Sequence, residues 1–460
     1  MITHEPEMDG TRVRELKSAN DNPWYCLATL RGEQPVGRFD RDLAEKNRLA
    51  FQQWFGDVPE GQRSQLAKDF ANRVGNRSMM PPERSAQPDF SHTHFDRPLV
   101  LVSFVFYRSP TFSSSSFHAH VDFSEAQFHG PTDFSSATFS ADVTFRSAMF
   151  AVSVDFSAVS FSGKINCQNA NITCPKFDGA TFSDSAQFHS ATIHGPASFL
   201  AAKFLRAANF GSVNFTGVAN FGAVSFFEHA GFRKSKFSDI ADFSGATFSN
   251  SVHFINGNFD GDTIFRNVSF TGQAPDFRGA TMHEATEWPG VTWPRPPKKK
   301  AEAQQQVYAY ERLKQEMERL KKHDDEQAFF RKELRARRGL FPVLSGQWLL
   351  NFSYHATSDY GNSLVRPLLS LACIVVIAAA ILMRTPAPPT CTTNLSADIA
   401  FKISLANAFV FLPDKREIMT PEVLSCWSNT ARLVSAVQSL TSVVLLFLLG
   451  LAIRNRFRMK

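Results

Sequence analysis

The stretch ADFSGATFSNSVHFINGNFDGDTIF, residues 241–265, places phenylalanine at 243, 248, 254, 259 and 265. The gaps are five, six, five and six. An α-helix repeats every ~3.6 residues, and this stretch is rich in Ser, Gly, Thr and Asp, so a helix does not fit. Hairpin strands do not fit either, because no alternation is sustained and no hairpin-turn signature recurs.

The beat extends in both directions. One series runs from Phe90 through Phe112, Phe123, Phe134, Phe145, Phe210, Phe243 and Phe254 to Phe277 and Trp288. A second lies five residues later, from Phe95 through Phe139, Phe204, Phe248 and Phe270 to Met282 and Trp293. Together they make 38 positions, of which 31 hold Phe, so one rule governs some two hundred residues. The eleven-residue period slips twice. One residue is missing near Cys174-Pro175 and one is gained near Ala274-Pro275, and both slips carry a proline that suits a kinked or loosened corner.

Two residues before the aromatic stands, almost always, Ala, Val, Thr, Ser or Gly, as at Ala241, Ala246 and Val252. In extended chain, residues i and i−2 face the same way. Each unit therefore offers one large and one small side chain to an interior and polar residues to solvent. A fixed period over this length predicts a solenoid whose lumen holds the Phe rings, Phe112, Phe123, Phe134, Phe145, Phe210, Phe243, Phe248 and Phe254 among them. Nineteen eleven-residue units make about nine and a half coils, a rod of ~45 Å at ~4.8 Å per coil.

A central Phe or Leu with a small residue two before it and polar neighbours resembles the pentapeptide-repeat proteins. The resemblance covers residues 90–293 and implies a right-handed quadrilateral β-helix. The usual step of that family is five. The alternation of five and six here gives a coil of about 22 residues, with an extra corner residue on alternate faces.

Residues 1–85 read differently. The segments DLAEKNRLAFQQWF and RSQLAKDFANRVG predict two amphipathic helices with Leu43, Leu49, Trp54, Phe55, Leu66 and Phe70 on the apolar side, a small domain placed to cap the rod. After the linker WPRPPKKK, residues 298–340 predict either a helical hairpin or a solvated spacer. In the hairpin reading, His323-Asp324-Asp325 is the break and Asp325 caps the second helix. Residues 341–366 form an aromatic juxtamembrane segment, WLLNFSYHATSDYGNSLVRPLLS running across its end. Two apolar runs follow, 367–383 and 433–453, each long enough to span a bilayer.

Charge follows this division. Residues 1–89 sum to −1 and 90–295 to −3, whereas 298–340 and 341–460 each sum to +5. The tail RNRFRMK (454–460) carries four basic residues, which by the positive-inside rule puts both termini in the cytoplasm. The connection 384–431 then faces outside. In an oxidising compartment Cys391 and Cys426 would pair; in a reducing one both stay free thiols. Within that connection IAFKISLANAFVFLP (399–413) is apolar but too short to span, which suits a re-entrant or interfacial helix.

No P-loop, dinucleotide fingerprint, HExxH or GxSxG occurs, and neither a catalytic residue nor a cofactor is expected. His118, His120 and Asp122 in FHAHVDF are the best metal candidates, against the plainer reading that repeat corners accept any polar residue. A rod summing to −3 lacks the dense acidic face of a DNA mimic, so nucleic acid is not an expected partner. The repeat, the SDYGNSLVRPL motif and the two-span tail together resemble bacterial pentapeptide-repeat proteins of the inner membrane. Some of these look like two-span ion channels with a pore segment between the spans, but no TVGYG-like run is present here. The expected function is a membrane-anchored scaffold whose cytoplasmic rod binds a protein partner. The alternative is an oligomeric channel or mechanosensitive pore regulated by the rod. Gly450, Ala452 and the Ser/Thr face of the second span suit self-association.

Overall fold

The computed structural model of the chain describes residues 16–75, 77–297, 299–385, 396–409 and 427–458. The chain forms two compact units, Met1–Arg295 and Pro296–Lys460.

In the first unit the repeat winds as a parallel β-solenoid whose short strands stack in four columns. The first column climbs from Thr93–Phe95 to Ser269–Phe270, nine strands making eight turns. The second runs from Leu99–Val100 to Val252–His253. The third and fourth merge into one sheet because the strands Met149–Asp155 and Asn171–Lys176 continue around the corner between them. Beyond Phe270, among the described residues, single bridges carry the ladder on: His253↔Asp276, Asn258↔Thr281, Ile264↔Glu287 and Ser269↔Thr292. The strand ladder is thus shorter than the nine and a half coils that the repeat count suggests.

Register follows the sequence period. Paired residues lie 22 apart, as in Ser116↔Thr138 and Val143↔Ile165. Across the first slip they lie 21 apart, Ser160↔Thr181, and across the second 23 apart, Ser269↔Thr292. The first slip is not a loosened corner. Phe150↔Ile172 and Val154↔Pro175 bracket three residues on one strand and two on the next, so the later corner is simply shorter. Pro175 is buried in the small inward position two before Phe177. Its fixed φ suits extended chain, and what it forgoes is the amide bond that Ala197 makes to the Val218 carbonyl one coil on.

The two step lengths are two kinds of corner. Within the five-residue step, the amide of Ser115 donates to the Phe112 carbonyl, and Ser114 between them has φ 54°. The same left-handed residue recurs two after each aromatic of the first series, at Ser103, Glu125, Ser136 and Ser147 and on to Asn256 and Asn267. Gly179, Gly245, Gly279 and Gly290 fill other turns of the same kind. The six-residue step bends without that turn, and there the coils approach closely. A Cβ on Gly163 would fall 2.5 Å from the Asp142 amide nitrogen.

Residues before the repeat close the first coil. Lys17–Ser18 pairs with Thr93–His94 and so adds a strand to the exposed end of the first column. Helices α1 (Pro23–Ala28), α2 (Arg41–Phe55) and α3 (Glu60–Val74) pack behind it. Asn22 caps α1 through the amides of Trp24 and Tyr25, and its Nδ2 donates to Asp89 O and Thr93 Oγ1. Tyr25 lies edge-on to Phe95 at 5.6 Å, and Phe51 contacts Phe104 and Phe106 at 5.1 and 5.6 Å. One expected apolar position differs. Leu49 is exposed, while Asn47 is buried because it receives the Arg31 amide and donates to Gly32 O.

The second unit is helical. Helices α4 (Lys300–Arg319) and α5 (His323–Arg338) form a hairpin closed by Lys314–Glu333 at 2.6 Å. The break falls at 320–322, where Lys321 has φ 59°, and α5 starts at His323. Asp325 therefore lies in the first turn and does not cap the helix, although its charge still favours that end. Helices α6 (Gly346–Ser358), α7 (Val365–Arg384), α8 (Ala397–Ala408) and α9 (Asn429–Arg458) follow. α7 and α9 are long and apolar enough to cross a membrane.

Phe210 is fully buried, stacked on Phe188 at 4.9 Å and on Phe232 at 5.0 Å. Phe210→Ala is expected to cost ~3–5 kcal/mol in denaturant unfolding, while Phe227→Ala on the surface costs less than ~0.5 kcal/mol. Similar losses for the two would remove the lumen stack as the source of stability. Gly163→Ala is expected to cost roughly 2 kcal/mol, because the neighbouring backbone must move.

Candidate interaction surfaces

The residues singled out from the sequence fall into three settings. Phe112, Phe123, Phe134, Phe145, Phe210, Phe243, Phe248 and Phe254 all lie in the lumen, at most 1% exposed. Cys167 takes a first-series position among them, and burial pushes its thiol pKa well above the usual range. Cys391 and Cys426 lie outside the described residues.

The acidic residues that precede first-series aromatics are structural. Asp122, Asp133, Asp155 and Asp242 each accept the amide two residues on, at 2.8 Å. Asn166, Asn209 and Asn220 do the same. Each bond holds the chain as it leaves the strand for the left-handed turn, the role expected of Asx residues. The recurrence of Asp and Asn at many of these sites is visible in the sequence, but its purpose becomes clear only with the turn.

The histidines do not converge with Asp122. His118 Nε2 lies 3.0 Å from the Ser116 hydroxyl, and its ring is 4.4 Å from that of His94. His120 Nδ1 turns instead to the Asp142 carbonyl at 2.9 Å, and Asp122 is engaged by Ser124. Among the described residues no group of three or more His, Cys, Asp or Glu stands together as a metal site.

Two features of the solenoid surface break its polar covering. Leu200, Leu205 and Phe227 are exposed, with Phe227 49% exposed. Leu205 and Phe227 occupy equivalent places on successive coils, directly after the stacked rings of Phe204 and Phe226. The pair Arg206–Glu228, at 2.7 Å, borders them. An aromatic and a leucine in solvent beside an ion pair have the make-up of a contact patch. Nearer the N-terminus, a cleft of about 390 Å³ is lined by Phe51, Phe55, Arg84, Val105, Tyr107 and Arg108.

In the helical unit, α8 is packed between α7 and α9. Its first turns touch Leu382, Trp427 and Ala431, and its last residue touches Leu371, Val375 and Leu445. It therefore runs alongside the two long helices as far as their middles. A polar seam follows it. Ser404 donates to the Val375 carbonyl at 2.8 Å, and Gln438 Nε2 donates to the Ser404 carbonyl at 2.8 Å and lies 2.7 Å from its hydroxyl. Asn407 Nδ2 donates to the Ser435 hydroxyl at 3.0 Å. Ser442, one turn beyond Gln438, is fully buried. The spacing 435, 438, 442 keeps these groups on one helical face, and that pattern was readable in advance within an otherwise apolar run.

The SDYG motif is a corner between α6 and α7. Asp359, Tyr360 and Gly361 are successive left-handed residues, with φ 48°, 58° and 76°. The corner is fixed by Ser358 Oγ, which accepts the Gly361 amide, by Tyr360 Oη, which donates to Asn351, and by Asn455 Nδ2, which donates to the Gly361 carbonyl. Asp359 pairs with Arg335 at 2.8 Å and Arg331 at 3.5 Å.

Residues 90–138, 112–160, 177–225 and 232–281 match the sequence model of the family described as pentapeptide repeats (9 copies). No curated protein and no solved structure matches the chain.

Asp155→Ala is expected to cost about 1 kcal/mol and to leave the coil intact, checked by thermal unfolding and circular dichroism. Thiol alkylation at pH 8 is expected to modify Cys174 in the folded protein and Cys167 only after denaturation. Labelling of native Cys167 at the rate of Cys174 would show that the lumen opens.

Proposed function

We propose that the protein uses its solenoid, which fits the pentapeptide-repeat family over the matched segments between residues 90 and 281, as a scaffold held at a bacterial inner membrane by α7 and α9. The observation that carries this reading is the division of labour within each coil. The Phe rings and small residues are consumed by the lumen, and the Asp and Asn side chains before first-series positions are tied to backbone. What remains is a rigid, regular surface on which the exposed pair Leu205 and Phe227 stands out. Such a surface is suited to recognition by shape and contact, and no chemistry is assigned to it. The anchor assignment is supported by the length and apolarity of α7 and α9. The basic residues after Ile453 support cytoplasmic termini.

A second reading has one observation in its favour. α8 enters between two helices of spanning length and carries a polar seam to their middle, which an anchor does not require. Intramembrane polar side chains are costly and usually serve a pathway or an interface. On this reading, oligomers of the helical unit conduct ions or open under tension.

Ion flux through liposomes holding the full-length protein separates the two, with Gln438→Leu beside the wild type. The scaffold reading expects no flux from either protein. It also expects a discrete cross-linked adduct from a photo-reactive group placed at position 205, lost in Phe227→Asp. Flux that falls at least tenfold in Gln438→Leu would make the pore the primary function. A C-terminal reporter active only on the periplasmic side would overturn the orientation.

A further inference from the structure

The corner where α5, α6 and α7 meet carries more positive charge than the fold consumes. Arg331, Arg335 and Arg366 surround Asp359 at 3.5, 2.8 and 3.9 Å, and His355 lies 3.7 Å from the same carboxylate. The other acidic residue nearby, Glu333, is already taken by Lys314 at 2.6 Å and Arg337 at 2.7 Å. Between Gln327 and Ala397 the chain has no further Asp or Glu. Arg338 has no ion pair among the described residues, and its guanidinium lies 5.8 Å from the centre of the Phe352 ring. Arg335 Nε is buried without an acceptor.

Helix dipoles explain only part of this. Arg335, Arg337 and Arg338 end α5, where a cation is favoured. Arg366 lies in the first turn of α7, where the dipole opposes a cation, yet it is held there by the His355 carbonyl at 2.8 Å. Burial and the field of Arg335 and Arg338 hold the His355 pKa below its ordinary value. Burial, with Arg335 and Arg331 beside it, pushes Lys332 down to about 8.

The surface beside this cluster is apolar. Leu349, Leu350 and Phe352 are exposed on α6, and Val365, Leu368 and Leu369 on α7, which packs against α6. Arginines that border an exposed apolar surface, at the start of a helix of spanning length, match a molecule with an anionic head and apolar tails. We propose that this corner binds an anionic phospholipid, its phosphate held by Arg338 and Arg366 and its acyl chains laid along α6 and the first turns of α7. The site rests on the membrane reading above. It adds to that reading a preference among lipids: headgroups with a net negative charge are bound and zwitterionic ones are not.

The test uses delipidated full-length protein in detergent, with native mass spectrometry and thermal unfolding after addition of phosphatidylglycerol or phosphatidylcholine. Phosphatidylglycerol is expected to remain bound and to raise the transition of the helical unit, and phosphatidylcholine to do neither. Arg338→Gln, whose described contact is the Phe352 ring, is expected to weaken phosphatidylglycerol roughly fivefold. Arg338→Gln with Arg366→Gln is expected to weaken it roughly thirtyfold, and the double lysine variant to keep most of the affinity. Equal binding of the two lipids by the wild type would overturn the proposal, as would an unchanged preference in Arg338→Gln. A stabilisation by inorganic phosphate equal to that by phosphatidylglycerol would overturn the lipid as occupant. Alkaline carbonate extraction of cell membranes checks the underlying reading separately. Release of the protein without detergent would remove the anchor, whatever the lipid measurements show.

Discussion

Each coil depends on an aromatic ring lying flat on the ring one turn below. Phe182 on Phe204 at 4.4 Å, and Phe199 on Phe221 at 4.8 Å, are pairs from two of the columns. The spacing of stacked strands, ~4.8 Å, is also close to the contact distance of two aromatic rings, so backbone ladder and ring stack reinforce the same rise. Rings of the first series also meet edge to face across the lumen, as Phe199 and Phe210 do at 5.5 Å and 89°. A ring such as Phe210 is then held above, below and from the side, by Phe232, Phe188 and Phe199. A shift of register by one residue would turn each ring outward, which is why the period tolerates so few slips. Where it slips, the change is confined to a corner and the ladder continues, as Phe161 on Phe182 at 5.1 Å shows.

That stacking dictates the rest of the coil. Inward positions two before a ring are mostly small, because the ring already fills the interior; Phe104, two before Phe106, departs from this beside the N-terminal helices. The outer chain must then turn within a fixed number of residues. The five-residue corner does so with a left-handed residue and an Asx bond. The six-residue corner does so with a bend, where successive coils come close enough that Gly163 leaves no room for a side chain. With both ends of the menu fixed, the side chains free to vary are those facing solvent. Leu205 and Phe227 stand out because nothing in the coil requires them to be apolar.

How much of this was legible depended on how often each element repeats. The lumen was readable because 38 positions obey one rule, and no single misplacement could hide it. The left-handed turns were not read, although they recur at the same period. Their residues are Ser, Glu, Asn, Ala, Lys and Gly by turns, so no residue type marks them, and only the Asn and Gly members carry a propensity that points there. Single events were read least well. Asp325 was expected to cap α5, but the chain breaks three residues earlier, where Lys321 accepts a left-handed backbone. Periodicity places Leu49 inward, but a buried asparagine with two backbone partners takes that face. In each case a specific hydrogen bond or turn outweighed a hydrophobic count.

The helical unit poses the converse problem, because its apolar surface is abundant and its polar groups are few. Among the exposed residues of α7 and α9 are Val376, Ile377, Leu440 and Phe447, which suit an apolar solvent. The polar side chains are turned inward instead: Ser404, Asn407, Ser435 and Gln438 bond to one another or to the backbone between the helices. A helix of twelve residues could not cross a bilayer, and backbone groups at its ends would be costly if they faced lipid unpaired. Packed between two longer helices, it has partners along its length. The order of events therefore matters. α8 can enter an apolar medium only together with α7 and α9, so the seam around Gln438 acts as a condition for assembly of the unit whatever passes, or does not pass, alongside it.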